Sequence, residues 1–388
     1  MAQDVFQRLS AFLDKQPAGF PATESGVELK ILEKLFTPDE ADLATSLRMF
    51  PEPASEIAGR CGASETETAE MLESMAEKGL VLRLKDGDRV YYQALQFLIG
   101  IHEYNVDRMD REMAELFDEY LPYMKHVTTE FRVVPVNTAI ETTKSIATFD
   151  MARELVKNQE QMVEIPCICR MRQRELGHGC DHTAHNCIII GVAAQHFIDK
   201  DIGRRIGEEE AFRLLDIAEE EGLVLEPANM KESFSICCCC PCCCEILASL
   251  KMYDSPAEQV YSSFQAEVNP EICTSCETCI DRCPMDALIA DNGAVRVDLK
   301  RCIGCGLCIS TCESGAAWLV SKDRMRPVPN TYLEMLAMLS AERDLPMGKM
   351  GWAMKNTSLD RFQKTVHLLY KLRIARPIVN QMAKRGLA

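Results

Sequence analysis

Eight cysteines near the C-terminal end stand in two copies of one spacing. The first copy is Cys273, Cys276, Cys279 and Cys283, followed by Pro284. The second is Cys302, Cys305, Cys308 and Cys312, followed by Glu313. Thiolates are soft ligands, and four of them can take the four iron corners of a [4Fe-4S] cubane. Cysteines two residues apart let a short loop wrap three corners, with backbone N–H groups turned toward the sulfurs. The fourth cysteine of each run lies too far along to close its own cluster and crosses to the other. That assigns Cys273, Cys276, Cys279 and Cys312 to one cluster, and Cys302, Cys305, Cys308 and Cys283 to a second. Zinc held by Cys-x2-Cys pairs is the competing chemistry. Zinc takes four ligands, and eight thiols in a symmetric repeat favour iron and sulfide. The chemistry is then one-electron transfer.

Eleven more thiols lie between residues 167 and 244. Cys167, Cys169, Cys180 and Cys187 come first, with His178, His182 and His185 close by. Cys237, Cys238, Cys239, Cys240, Cys242, Cys243 and Cys244 follow. One such cysteine alone reads as a small buried hydrophobe; the set does not. In an extended backbone Cys237 and Cys239 face one side while Cys238 and Cys240 face the other. Pro241 interrupts any helix and holds Cys240 extended. The block therefore feeds ligands to two sides, or to two nearby centres. The expectation is at least one further iron–sulfur cluster, ligated jointly by the 167–187 segment and the 237–244 block. Zinc bound by Cys and His is the alternative. The histidines follow a glycine turn and read as solvated or hydrogen-bonding groups. Arg170, Arg172 and Arg174 either offset the negative charge of a thiolate centre or form a solvated face; their spacing does not choose.

Residues 266–322 resemble the bacterial-type dicluster ferredoxin family, on the two Cys-x2-Cys-x2-Cys-x3-Cys runs just quoted. The resemblance implies two [4Fe-4S] clusters with crossed fourth ligands. The departure is Glu313, where the family often carries a second proline. That residue does not ligate, and a carboxylate beside a cluster shifts its potential slightly. The 237–244 block resembles cysteine-rich segments of 4Fe-4S proteins from anaerobes, a likeness that assigns no ligands.

The elements around these cysteines follow from pattern. Apolar residues recur at helical spacing over 27–49: Val27, Leu29, Ile31, Leu32, Leu35, Phe36, Leu43, Leu47 and Met49. A short helix over 53–62 stops at Gly62. Ser64 with Glu67 reads as a capping box for a helix that Gly79 closes. Residues 80–84 and 89–92 flank the turn at Asp86, Gly87 and Asp88 and form a hairpin. Three helices and a two-stranded wing resemble the winged helix-turn-helix family of regulators. The third helix, however, carries Glu65, Glu67, Glu70, Glu73 and Glu77 against Lys78, and DNA affinity is dominated by attraction to phosphates. A protein-interaction or structural module is the better expectation. Cys61 reads as a small buried member of that core. Residues 100–126 read as an amphipathic helix burying Ile101, Val106, Met109, Met113, Leu116 and Phe117, and residues 131–137 as a strand. Helices follow over 191–200 and 208–221. The acidic face of the second (Glu208, Glu209, Glu210, Asp216, Glu219, Glu220, Glu221) reads as solvated. Another helix covers 331–344, burying Tyr332, Leu333, Met335, Leu336 and Leu339.

The fold class expected is α+β in several domains: a winged-helix-like domain over 1–100, a cysteine-rich α/β domain over 101–265, a ferredoxin-like dicluster domain over 266–322, and a helical basic tail over 323–388. From Arg361 onward that tail carries Lys364, Lys371, Arg373, Arg376, Lys384 and Arg385 and no acid. It reads as a helix folded back on an acidic body, or as a docking element for an acidic partner or an anionic membrane surface. The net charge of −16 argues against bulk nucleic-acid binding. No run is long and apolar enough for a membrane span. The first residues carry charges through their apolar stretch, unlike a secretory leader. Twenty cysteines in such a chain fit a reducing cytoplasm, and oxygen-sensitive clusters fit an anaerobic host.

No dinucleotide fingerprint, P-loop or nucleophile arrangement is present. The expectation is an iron–sulfur electron-transfer protein, a carrier or subunit serving a partner oxidoreductase, not a stand-alone enzyme. The alternatives are a redox-sensing winged-helix regulator and a zinc-scaffolded ferredoxin.

Overall fold

Helix and strand are mixed along the chain, which a computed structural model describes over residues 4–141, 146–182, 185–323, 326–343 and 345. The described residues gather into two units, one from Met1–Met124 and Pro329–Ala388, the other from Lys125–Val328. The basic run from Arg361 to Arg385 lies outside the described residues.

In the first unit, helices Val5–Asp14, Val27–Leu35, Pro38–Ala44, Ala54–Cys61 and Glu65–Glu77 precede a hairpin of β1 (Val81–Asp86) and β2 (Arg89–Ala94). The periodic run over 27–49 is two helices. A residue before proline disfavours helical backbone, and Phe36 and Thr37 are extended ahead of Pro38. Thr37 then forms a complete capping box with Glu40. Ser64 occupies the expected N-cap position but makes no capping bond. Ser64 and Glu67 are both exposed, where water can satisfy the free N–H groups. Glu73 turns toward the hairpin and accepts from Arg83 Nε (2.9 Å) and the Tyr92 hydroxyl. Cys61 is exposed, not buried: the last turn of its helix and the connection through residue 67 run along the surface.

The helix expected over 100–126 is broken. Ile99 has φ 41°, and Asn105 leaves helical backbone while its amide donates to the Ile101 carbonyl at 2.7 Å. Asp110 then caps a new helix, Arg111–Tyr120, by accepting from the Met113 N–H. The apolar set is still inside: Ile101, Val106, Met109, Met113 and Phe117 are buried, with Leu116 half-buried. The helix Tyr332–Glu342 buries Met335, Leu336 and Leu339 in this unit.

The second unit is built on a five-stranded antiparallel sheet in the order β5-β3-β4-β7-β6. Its strands are β3 (Met162–Pro166), β4 (His185–Ile190), β5 (Arg204–Arg205), β6 (Val224–Pro227) and β7 (Ser235–Cys239). Residues 131–137 make isolated bridges to Ala228, Tyr261 and Leu225 and not a strand, since Pro135 offers no N–H to a ladder. Helices Val192–Asp199 and Glu208–Glu220 form where the pattern placed them.

The two Cys-x2-Cys-x2-Cys-x3-Cys runs sit in a pseudo-symmetric arrangement in the same unit. β8 (Phe264–Val268) pairs antiparallel with β11 (Ala317–Ser321), and β9 (Leu288–Asp291) forms a hairpin with β10 (Ala294–Val297). Each run ends in one short helix, Thr278–Asp281 or Leu307–Ser310. The backbone repeats as well. Ser275, Glu277 and Asp286 have positive φ, and so do Gly304, Gly306 and Gly315, each twenty-nine positions later. One hydrophobic core runs from the sheet (Ile188, Leu225, Ile236) through Leu247 and Phe264 to Met285, Ile303 and Leu319. Arg282 donates to the carbonyls of Glu219 and Glu220 at the C-terminal end of Glu208–Glu220. A cation there complements the helix dipole.

Candidate metal centres

The second Cys run folds inward. Cys302, Cys305 and Cys308 are buried, and with Cys283 from the first run they line an open-sided pocket. Pro284, Met285, Leu288, Val297 and Ile303 make its apolar walls. Backbone N–H groups point at the sulfurs: Ala266 to Cys302 at 3.4 Å and Ala287 to Cys283 at 3.3 Å. A sulfur-lined cradle with N–H donors and apolar walls fits an anionic iron–sulfur cubane. Burial holds the Cys283, Cys305 and Cys308 thiols above their ordinary value. That cost falls away once a metal takes the proton's place.

The first run faces outward. Cys276 is exposed, while Cys273, Cys279 and Cys312 are half-buried. Cys279 is raised first by burial and then by the charges of Cys276, Cys312 and Cys273. The Thr278 hydroxyl donates to Cys276 Sγ at 3.6 Å and holds that thiol below its ordinary value.

The central thiols form two groups. The first is a closed ring of six. Each thiol lies close enough to the next to shift its titration: Cys167 with Cys169, Cys169 with Cys244, Cys244 with Cys239, Cys239 with Cys237, Cys237 with Cys187, and Cys187 back with Cys167. Sheet register explains half of it. Cys187 and Cys237 are direct partners across β4 and β7, and Cys239 lies two residues on, on the same face. Cys167 and Cys244 are the N-caps of helices Ile168–Glu175 and Glu245–Lys251, and Cys169 sits in the first turn of the former. Two helix N-termini thus close over the sheet, and the Leu247 N–H donates to Cys244 Sγ at 3.5 Å. Such termini favour negative charge. Hydrogen bonds from their neighbours lower the thiol pKa values of Cys167, Cys237 and Cys244, and raise those of Cys169, Cys187 and Cys239.

Glu226 completes this ring, and sequence reasoning missed it. It pairs with Cys237 across β6 and β7, so its side chain shares the thiol face. It is fully buried, with Oε2 3.7 Å from Cys244 Sγ, and its Oε1 has no hydrogen-bond partner among the described residues. Burial raises its pKa well above the usual carboxylate range. Only the register of β6 could have pointed to it.

The second group is Cys180, Cys240, Cys242 and Cys243, whose sulfurs all lie within 4.8 Å of one another. Cys240 follows β7, while Cys242 and Cys243 occupy the turn after Pro241. In a turn, vicinal side chains can converge, which the alternation of a strand forbids. Cys238 belongs to neither group. Strand alternation turns it to the other face of β7, opposite Leu225, in the apolar core.

Two of the three arginines are buried, and one of them faces these thiols. Arg170 donates to Cys240 Sγ at 3.4 Å and to the Cys238 carbonyl at 2.9 Å. The charges of Cys167, Cys240 and Cys187 outweigh burial and raise its pKa. Arg172 pairs with Glu245 at 2.8 Å, and Arg174 is exposed. His178 is exposed, and His182 lies 3.4 Å from Glu221, outside both thiol groups. The His185 side chain lies outside the described part of the structure.

Residues 265–313 match the 4Fe-4S dicluster domain family. The chain thus carries a 4Fe-4S dicluster segment within a longer polypeptide. It is similar to an uncharacterised ferredoxin of Methanocaldococcus jannaschii, 38% identical over 55 residues, 14% of this chain and 36% of that one. It is also similar to the electron transport protein HydN of Escherichia coli, 41% identical over 57 residues, 14% of this chain and 33% of that one. A tetrathionate reductase subunit of Archaeoglobus fulgidus is 42% identical over 50 residues, 12% of this chain and 24% of that one. The matched segment spans at most 36% of any of these relatives. No solved structure matches the chain. Among the described residues no helix is long and apolar enough to cross a membrane.

Proposed function

We propose that this chain is an iron–sulfur electron-transfer protein, a carrier or subunit that exchanges single electrons with a partner oxidoreductase. Cys283, Cys302, Cys305 and Cys308 hold one [4Fe-4S] cluster, and Cys273, Cys276, Cys279 and Cys312 the other. The ring of Cys167, Cys169, Cys187, Cys237, Cys239 and Cys244 holds a further iron–sulfur centre. Bound clusters supply reversible one-electron carriers. The observation that carries this reading is the sulfur-lined pocket with its N–H donors, inside a segment that matches a dicluster family. The names of two relatives, an electron transport protein and a reductase subunit, favour a redox partner over a small-molecule substrate.

The residues also favour a direction. The Cys276 loop is exposed and suits exchange with a partner, while the Cys305 loop packs inward, with the Val136 N–H donating to the Cys305 carbonyl at 3.0 Å.

The test is iron and acid-labile sulfide on anaerobically purified protein, with electron paramagnetic resonance of the reduced form. The two cubanes require about eight irons, and the ring centre raises the count above that. Cys276→Ser should remove about four irons and one reduced-cluster signal. An unchanged iron count in that variant rules out the ferredoxin ligand set. A wild-type count of about eight rules out an iron centre in the ring.

A further inference from the structure

The group Cys180, Cys240, Cys242 and Cys243 differs from the ferredoxin ligands and from the six-thiol ring in that four sulfurs all lie within 4.8 Å of one another. Cys180 Sγ lies 3.9 Å from Cys240 Sγ, and Cys242 Sγ lies 3.8 Å from Cys243 Sγ. A divalent ion bound tetrahedrally by thiolates at about 2.3 Å sets its sulfurs about 3.8 Å apart, the edge of that tetrahedron. A cubane cannot hold all four of its thiolates mutually this close, because its irons and sulfides lie between them; among the described residues no three sulfurs of the six-thiol ring stand mutually within 4.8 Å. The eight ferredoxin cysteines illustrate the contrast. Among the described residues, no three of them come within 4.8 Å of one another, and four of them surround a pocket instead.

The surroundings are those of a closed site. Cys240 and Cys243 are 1% and 2% exposed, Cys180 is half-buried, and Cys242 alone is open to solvent. Four thiolates around a divalent ion leave a net charge of two minus. Arg170 stands against that charge with Nε on Cys240 Sγ. Pro241 and the turn that follows bring three of the four donors from one tetrapeptide, and Cys180 closes the set from a loop sixty residues earlier.

We propose that Cys180, Cys240, Cys242 and Cys243 form a mononuclear tetrahedral site for one thiophilic divalent ion, zinc being the fitting species. All four protein positions are filled, leaving none for substrate, so the role is structural. The ion ties the loop around Cys180 to the end of β7, and so holds Cys169 and Cys244 where the ring needs them. This inference does not depend on the ferredoxin reading.

The experiment is metal analysis of the full-length chain, purified anaerobically from zinc-supplemented medium, for wild type, Cys242→Ser and Cys180→Ser. Cys242 is exposed, so its serine variant should fold, and circular dichroism checks that it does. The expected result is one zinc per chain in wild type, lost in both variants, with iron and sulfide unchanged. Cobalt(II) loaded in place of zinc should show the visible bands of a tetrahedral tetrathiolate, absent from Cys242→Ser. Loss of iron and sulfide together in these variants would overturn the proposal in favour of a cluster. Wild-type protein without zinc, and without cobalt bands after loading, would overturn it in favour of packed free thiols. Failure of the ferredoxin reading shows separately, as an iron count that Cys276→Ser leaves unchanged.

Discussion

Arg170 and Arg172 are two positions apart and do different work. Arg172 and Glu245 form an ion pair whose side chains are 2% and 10% exposed. Removing one partner leaves a buried charge uncompensated. Arg172→Met should therefore destabilise the protein by about 3–5 kcal/mol, and adding Glu245→Leu should recover much of the loss. Anaerobic denaturant titration measures both, and equal costs for the single and double variants would contradict the pairing. Arg170 faces sulfur instead. Its charge favours the more negative, reduced state of a nearby cluster, so Arg170→Met should make the ring centre harder to reduce. Arg170→Lys keeps the charge and should recover most of the potential in a redox titration. A potential unchanged by Arg170→Met would show that the guanidinium only packs.

At the scale of the element, left-handed backbone repeats at Ser275/Gly304 and Glu277/Gly306 in the two cysteine loops. The two copies differ in surroundings. A Cβ at Gly304 would collide with the Phe264 carbonyl of β8, and one at Gly306 with Ala139. Glu277 is exposed and Ser275 half-buried, so side chains are tolerated in the first loop. Left-handed backbone costs a non-glycine residue roughly 1–2 kcal/mol. Gly304→Ala should therefore cost at least about 2 kcal/mol, strain and collision together, and release about four irons. Ser275→Gly relieves that strain but loses the bond from the Ser275 hydroxyl to the Gly293 carbonyl, so it should lie within about 1 kcal/mol of neutral. Thermal melts with iron counts test the pair, and a harmless Gly304→Ala would mean that β8 yields easily.

At the scale of the whole molecule, all the candidate metal sites fall in the unit Lys125–Val328. Metal binding to a folded site adds to folding stability. Chelation under argon should lower one calorimetric transition and leave a second, that of the other unit, in place. A single transition that shifts as a whole would contradict independent units. The other unit presents Glu65, Glu67, Glu70 and Glu77 on the exposed face of its fifth helix, with Glu73 engaged by Arg83. A mobility shift with the gene's own upstream DNA should show no salt-resistant, sequence-specific complex. Such a complex would revive the regulator reading.

The sequence by itself determined the dicluster segment, because ligand spacing along a loop is a local property that survives without tertiary context. The same holds for helix Ala54–Cys61 with its stop at Gly62 and for the hairpin around Gly87. Local pattern failed where a single residue broke it, as at Ile99, Asn105 and Pro135, while the apolar set over 100–126 was still read correctly for burial. The partition of the central thiols belongs to the tertiary structure. Strand alternation separates Cys238 from Cys237 and Cys239, but only the pairing of β4 with β7 sets Cys187 beside Cys237. Only the pairing of β6 with β7 brings Glu226 into the ring, and only the return of the chain sixty residues on sets Cys180 against Cys240. Ligand type and local spacing are written residue by residue, whereas which donors share a centre depends on register between distant strands.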